Sequence, residues 1–238
     1  LSHAKISNTS LKGKDLSDTI LTGADLTDTI LTGSDLSGAN LSYVDLSEHD
    51  LTGTNLSDTF LFRTNLSGID LRSIPFTDAD FRYVYLSESK LPDSILINNS
   101  FDYAKLNNIN FAGKDLSNSS FQQVDLEGSD MQNVNLYFSK FTQVDFTKIK
   151  NKSLAGADLT FAEFAHANLS DIDLSGATLR GNNFWKANVS GQDFTVISET
   201  IHGSVFIEAN LSDSNFEGLL LGPQIQYEIV FENKAHLM

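Results

Sequence analysis

Residues 31–60 read LTGSDLSGAN LSYVDLSEHD LTGTNLSDTF, six blocks of five that each open on leucine. Counting outward from Leu31 puts a large apolar residue at every fifth position from Ile6 to Phe146, 29 in succession. A helical period of 3.6 or a strand period of 2.0 produces no such series. The repeating unit is therefore five residues long, and this repeat governs the fold before any local propensity does.

Around each central apolar residue the block has a fixed chemistry. Two places earlier the side chain is small or short, as in Ala24, Ser34, Ala39, Val44, Thr54, Ala79 and Ala104. Immediately before it stands Asp or Asn, as in Asp15, Asp25, Asp35, Asn40, Asp45, Asn55 and Asn65, and Ser or Thr often follows. This A(D/N)LSx motif resembles the pentapeptide-repeat family over residues 4–222. The resemblance implies an all-β fold, a right-handed quadrilateral parallel β-helix. Four pentapeptides would make a 20-residue coil, with the central and small residues inward and the rest toward solvent.

Two slips interrupt the count: eight residues separate Phe146 from Leu154, and seven separate Phe194 from Ile201. Reading them as bulges near 147–153 and 195–200 keeps Phe81, Phe101, Phe121, Phe141, Phe164, Phe184 and Phe206 on one wall, below Leu21, Leu41 and Leu61. Rings one strand spacing apart can stack in a column. The bulge reading gives about eleven coils at ~4.8 Å each and one repeat domain over residues 1–222. After Gly222-Pro223 the pattern stops, and residues 223–238 are expected to form a cap or a linker. An opening at Leu1, with repeats under way by Ile6, suggests a processed N-terminus or a piece of a longer chain. An end of the rod would then meet a second copy or a fused neighbouring domain.

Composition narrows the function. Thirty-one acidic against 16 basic residues give a net charge of −15, which argues against direct nucleic-acid binding, since that needs cations to displace counterions. There is no cysteine, hence no disulfide framework or thiolate metal site, and the compartment stays open. No run of ~18 apolar residues is present to span a membrane. Carboxylates recur in columns, such as Asp25 with Asp45 and Asp125 with Asp145, but the motif itself generates them. No loop, His or Arg converges on them as acid–base catalysis requires. His3, His49, His166, His202 and His236 are scattered without metal-ligand spacing. No enzyme activity and no cofactor are expected.

Two surface features stand out. Tyr43, Arg63, Tyr83 and Tyr103 fall on one outward column behind the Phe wall, with Phe62 and Arg82 beside it and Phe60 and Tyr85 near by. These are the residue types of interface hot spots, on a surface otherwise made of Ser, Thr, Asp and Asn. They make a non-catalytic rod or scaffold that binds another protein the leading expectation. Incidental aromatic cladding on a β-surface is the bland alternative.

The second feature is acidic. From Asp15 to Asp58 there are nine acids, including Asp15, Asp25, Asp35, Asp45, Asp50 and Asp58, and no Lys or Arg. The Qnr and MfpA members of the resembled family are thought to inhibit DNA gyrase by mimicking DNA, so the resemblance implies a topoisomerase inhibitor as the alternative. The mainly leucine centres of the first half depart from that group. Near the aromatic column, Pro75 and Pro92 remove backbone donors, which predicts a local break in coil pairing. Ile95 and Ile97 are expected to point outward there. Lys148, Lys150 and Lys152 make the first bulge a small basic protrusion.

Overall fold

The computed structural model describes residues 1–197, 201 and 203–217. The motif explains its geometry one group at a time. The Asp or Asn before the central residue accepts the N–H two places on, as Asp35 Oδ1 does from Ser37 N at 3.0 Å and Asn55 Oδ1 from Ser57 N at 3.1 Å. This local bond starts a turn. The next residue takes a left-handed conformation, as Gly23 does at φ 60°. The chain then folds back, with Ala24 N bonding Leu21 O at 2.9 Å.

Coils join through the remaining donors. The N–H of the central residue and the N–H two places on reach carbonyls in the next coil, as in Leu21 N to Asn40 O and Gly23 N to Ser42 O, at 2.9 and 2.8 Å. The Asp/Asn positions pair in parallel across steps of 20, as Asp15 with Asp35 and Asp35 with Asn55. Among the described residues these are isolated bridges with no extended strands. The turn consumes two residues of every five, and too few are left for a ladder on each side.

We number the four sides face 1 (centres Leu36, Leu56, Phe76), face 2 (Leu41, Leu61, Phe81), face 3 (Leu46, Leu66, Leu86) and face 4 (Leu51, Leu71, Leu91). All of these centres are buried.

Both slips are bulges. Pairing steps become 23 at Asn135–Asp158 and 22 at Asn183–Val205, so the faces stay in register. The first bulge consists of two short 3-10 turns, Phe146–Lys148 and Lys150–Lys152. It buries Ile149 and ties Lys150 Nζ to Asp130 at 2.9 Å, so one lysine of the expected basic protrusion is neutralised. The described part of the second holds a similar turn, Phe194–Val196. Behind face 2 the seven phenylalanines stack from Phe81 to Phe206, at successive centroid distances of 5.3, 5.3, 4.9, 5.9, 5.3 and 4.8 Å. The 223–238 segment lies outside the described residues.

The inward small position also carries polar groups, and several of them tie one coil to the one before. Thr64 Oγ1, Ser89 Oγ and Ser139 Oγ donate to the carbonyls of Leu41, Leu66 and Leu116, 23 residues back, at 2.7–2.8 Å. At position 49 an imidazole stands where threonine fits. His49 Nε2 is 2.8 Å from Leu26 O, doing the same work, but its Nδ1 is buried without a partner. The parallel pairings expected for Asp25–Asp45, Ile30–Asp50 and Asp50–Asp70 are missing, and a cavity of about 570 Å³ opens between Thr27–Thr32 and Asp45–Asp50.

A second break falls where the prolines predict it. The 3-10 turn Asp93–Ile95 bonds Leu96 N back to Asp93 O at 3.1 Å, and the ladder through Asn55, Pro75, Ile95 and Asp115 is interrupted. This turn corrects one expectation: Ile95 is buried, because the helical twist rotates it into the core, while Ile97 remains exposed.

Candidate protein-binding site

The outward corner of face 2 carries the aromatic column. Tyr43 and Phe62 meet edge-on at 5.4 Å, Phe62 and Tyr83 at 4.9 Å, and Tyr83 stacks on Tyr103 at 4.6 Å with planes 4° apart. The running order differs from the sequence-based column, since Phe62 fills the place between the tyrosines. Arg63 lies alongside, its Cζ 6.0 Å from the Tyr43 centroid and 5.6 Å from Phe62. At that range cation–π attraction on an exposed surface contributes ~0.5–1 kcal/mol. Tyr43 is 55% exposed and Phe62 36%.

The other expected members stand apart. Arg82 turns to Asp80, with Nε–Oδ1 at 2.9 Å and Nη2–Oδ2 at 2.7 Å. Its charge is spent locally, and the pairing lowers the Asp80 carboxyl from its ordinary value. Phe60 is 56% exposed in the bridge row that enters face 2, between Asn40 and Asp80. Tyr85 belongs to the row entering face 3, where Lys105 Nζ lies 5.2 Å from its ring.

The column continues beyond what sequence reasoning singled out. Gln123 and Gln143 hydrogen-bond side chain to side chain. His166 meets Trp185 at 4.7 Å, Lys186 Nζ lies 4.7 Å from the Trp185 centroid, and Lys186 pairs with Glu208 at 3.3 Å. On face 1 an exposed trio, Tyr137, Phe138 and Phe161, packs ring on ring at 4.6–5.9 Å. Their places follow from the same five-residue register, carried across the first slip for His166 and Lys186 and across both for Glu208.

The left-handed turn position recurs on the other faces, and residue type there sets the face 2 corner apart. Tyr43, Arg63, Tyr83, Tyr103, Gln123, Gln143, His166, Lys186 and Glu208 are successive residues of one column, all with φ between 52° and 64°. At the matching position of face 4 glycine predominates, at Gly13, Gly33, Gly53, Gly113, Gly156 and Gly176, with Asn133 also left-handed. Left-handed backbone costs an L-residue roughly 1–2 kcal/mol, a cost glycine does not carry.

The acidic surface is built differently. Asp15, Asp25, Asp35 and Asp50 hold the N–H of Ser17, Thr27, Ser37 and Thr52 at 2.9–3.1 Å. Hydrogen bonds from those residues, side chain first and then backbone, lower all four carboxyls from their ordinary value. Asp45 is partly buried, which pushes its carboxyl up, but hydrogen bonds from Ser47, whose N lies at 3.0 Å, and from Asn65 lower it overall. Asparagines one coil on relieve part of the crowding, Asn55 Nδ2 bonding Asp35 at 3.2 Å and Asn65 Nδ2 bonding Asp45 at 3.0 Å. Asp58 is exposed in a left-handed turn of face 1, outside this bonding pattern. Among the described residues no group of His, Asp and Glu has the arrangement of a metal site, and no helix is long and apolar enough to cross a membrane.

A 20-residue parallel winding with an inward residue at every fifth place defines a β-helical solenoid. The profile described as pentapeptide repeats matches residues 1–38, 19–58, 34–72, 76–113, 115–147 and 154–195. The chain belongs to the pentapeptide repeat family, whose fold is the right-handed β-helix. Among solved structures it is similar to HetL, a pentapeptide repeat protein involved in heterocyst differentiation regulation in Nostoc sp. strain PCC 7120. That similarity is 25% identity over 88% of this chain and 90% of that one, at a TM-score of 0.31. A pentapeptide repeat protein of the Arabidopsis thaliana thylakoid lumen is 24% identical over 53% of this chain and 68% of its own, at 0.26. QnrB1, a plasmid-mediated fluoroquinolone resistance protein, is 16% identical over 96% and 90%, at 0.27. No curated protein matches the sequence.

Proposed function

We propose that the chain is a non-catalytic rod of about eleven coils that binds another protein through the face 2 corner, centred on Tyr43, Phe62, Arg63, Tyr83 and Tyr103. One observation carries this reading: nine consecutive coils place Tyr, Arg, Gln, His, Lys or Glu where the backbone is left-handed. Incidental cladding by β-propensity does not account for it, because these positions are turns and turn propensity favours Gly, Asn and Asp there. Side chains kept at a conformational cost mark a site selected for something other than stability.

The test is an Arg63→Gly, Tyr83→Gly double variant, compared with the wild type in capture from the native source. The expected result is partner recovery reduced at least tenfold in a rod that remains fully folded. Undiminished recovery removes the site.

A second reading has its own support. From Asp15 to Asp58 the rod carries nine acids and no Lys or Arg, which suits a DNA-mimicking inhibitor of gyrase. Added in excess, the protein should then inhibit gyrase supercoiling, and an Asp15→Asn, Asp35→Asn, Asp45→Asn variant should lose most of that inhibition. Supercoiling at its normal rate would eliminate this reading.

A further inference from the structure

The break at Pro75 and Pro92 leaves backbone groups without the coil they normally serve. In an intact rung the next coil supplies one donor and two acceptors. Leu66 N bonds Tyr85 O at 2.8 Å, Tyr85 N bonds Thr64 O at 3.0 Å, and Gly68 N bonds Ser87 O at 2.8 Å. The corresponding groups on face 1 are Ile74 C=O, Phe76 N–H and Asp78 N–H. Among the described residues none of these three has a backbone partner in the next coil. The segment that should meet them has coiled into the Asp93–Ile95 turn, with Ile95 N directed to Pro92 O. Between the two coils lies a cavity of about 550 Å³, lined in part by Pro75, Thr77, Asp78, Ser94, Ile97 and Asn98. That size is within the range of small-ligand sites.

We propose that this notch binds a short extended peptide, which enters as the missing rung. Its backbone would donate one N–H to Ile74 O, and two carbonyls, two residues apart, would accept from Phe76 N and Asp78 N. An extended polypeptide carries these groups at the required spacing, as in strand addition to a sheet edge. The rim sets the side-chain preference. Asp78 is exposed at the mouth, and Asp93 is held by Lys114 Nζ at 2.5 Å. A single lysine or arginine beside Asp78 fits this charge, since Lys114 already neutralises Asp93. The site lies on face 1, separate from the aromatic corner.

The test uses a phage-displayed library of random heptapeptides, selected on the wild-type rod. The counter-target is a closed-notch variant (Pro92→Ser, Asp93→Gly, Ser94→Ala, Ile95→Asn) that restores a regular repeat. Peptides selected on the wild type are expected to bind the closed variant at least tenfold more weakly. A synthetic copy N-methylated at the residue facing Ile74 should lose at least tenfold, and the Phe76 and Asp78 amide NMR signals should shift on titration. The N-methyl comparison stands even where the closed variant fails to fold. Failure to recover any peptide that separates the two proteins, an N-methyl copy that binds equally well, or shifts confined to face 2 would each overturn the proposal.

Discussion

At the scale of single residues, stability and binding make opposite demands. Arg63 sits at φ 55° on an exposed corner, and its ring contacts are at the long end of the cation–π range. Replacing it with glycine removes roughly 1–2 kcal/mol of left-handed strain. Against that stand a weak attraction and the greater freedom of glycine in the unfolded chain. Arg63→Gly alone should therefore leave stability unchanged or raise it by up to about 1 kcal/mol in urea denaturation. Tyr83 has more to lose, because its stack on Tyr103 at 4.6 Å adds ~0.5–1.5 kcal/mol. The double variant proposed for the binding test should accordingly come out near neutral. A loss above about 2 kcal/mol would mean that the corner is structural.

The element that repeats is the turn, and its chemistry gives the rod an acid limit. Asp15, Asp25, Asp35, Asp50 and Asp173 all have carboxyls lowered by bonds from the residue two places on, side-chain hydroxyl first. A folded-state pKa below the unfolded value of about 3.9 means that the stabilisation is fully present above that value. It is lost as pH falls through the depressed folded pKa. The melting temperature should hold steady from neutral pH to about pH 5 and drop below pH 4. Asparagine accepts the same N–H without titrating, as Asn55 does from Ser57. Asp15→Asn with Asp35→Asn should therefore preserve the melting temperature at pH 7 and flatten the acid limb. An unchanged acid limb would show that these turns do not set it.

Much at this scale was readable beforehand. Period five fixed the inward positions, and the Phe series fixed the bulges, because a stacked column admits no slip of face. The aromatic corner was only half legible: Tyr43 and Tyr83 are visible as types, but their left-handed backbone is a property of the wound chain. Phe62 taking the place between the tyrosines, Arg82 turning to Asp80 and Ile95 turning inward all depend on side-chain packing that the repeat does not encode.

In the whole molecule each coil touches its neighbours alone, so stability is a sum of interfaces and the weakest interface decides where the rod opens. His49 makes one such interface: it supports Leu26 O, but it separates the coils on two faces and leaves a buried nitrogen unpaired. An unsatisfied buried polar group costs about 1–3 kcal/mol. The Pro75–Ile95 break lies little more than one coil further on, whereas the stacked phenylalanines begin at Phe81 and run to Phe206 without interruption. The N-terminal coils are thus joined to the rest through two weakened seams, the second of which is bridged on face 2 by the Phe81–Phe101 stack that opens the phenylalanine column. Hydrogen exchange in moderate urea should show residues 1–50 opening first, as a unit, with residues 100–190 protected to the global limit. His49→Thr recreates the arrangement of Thr64 over Leu41, bonded at 2.8 Å. The variant should gain about 1–3 kcal/mol at that seam and bring the N-terminal exchange closer to that of the rest. If the wild-type rod exchanges uniformly along its length, or if threonine at position 49 loosens the first coils, the seams do not control how the rod comes apart.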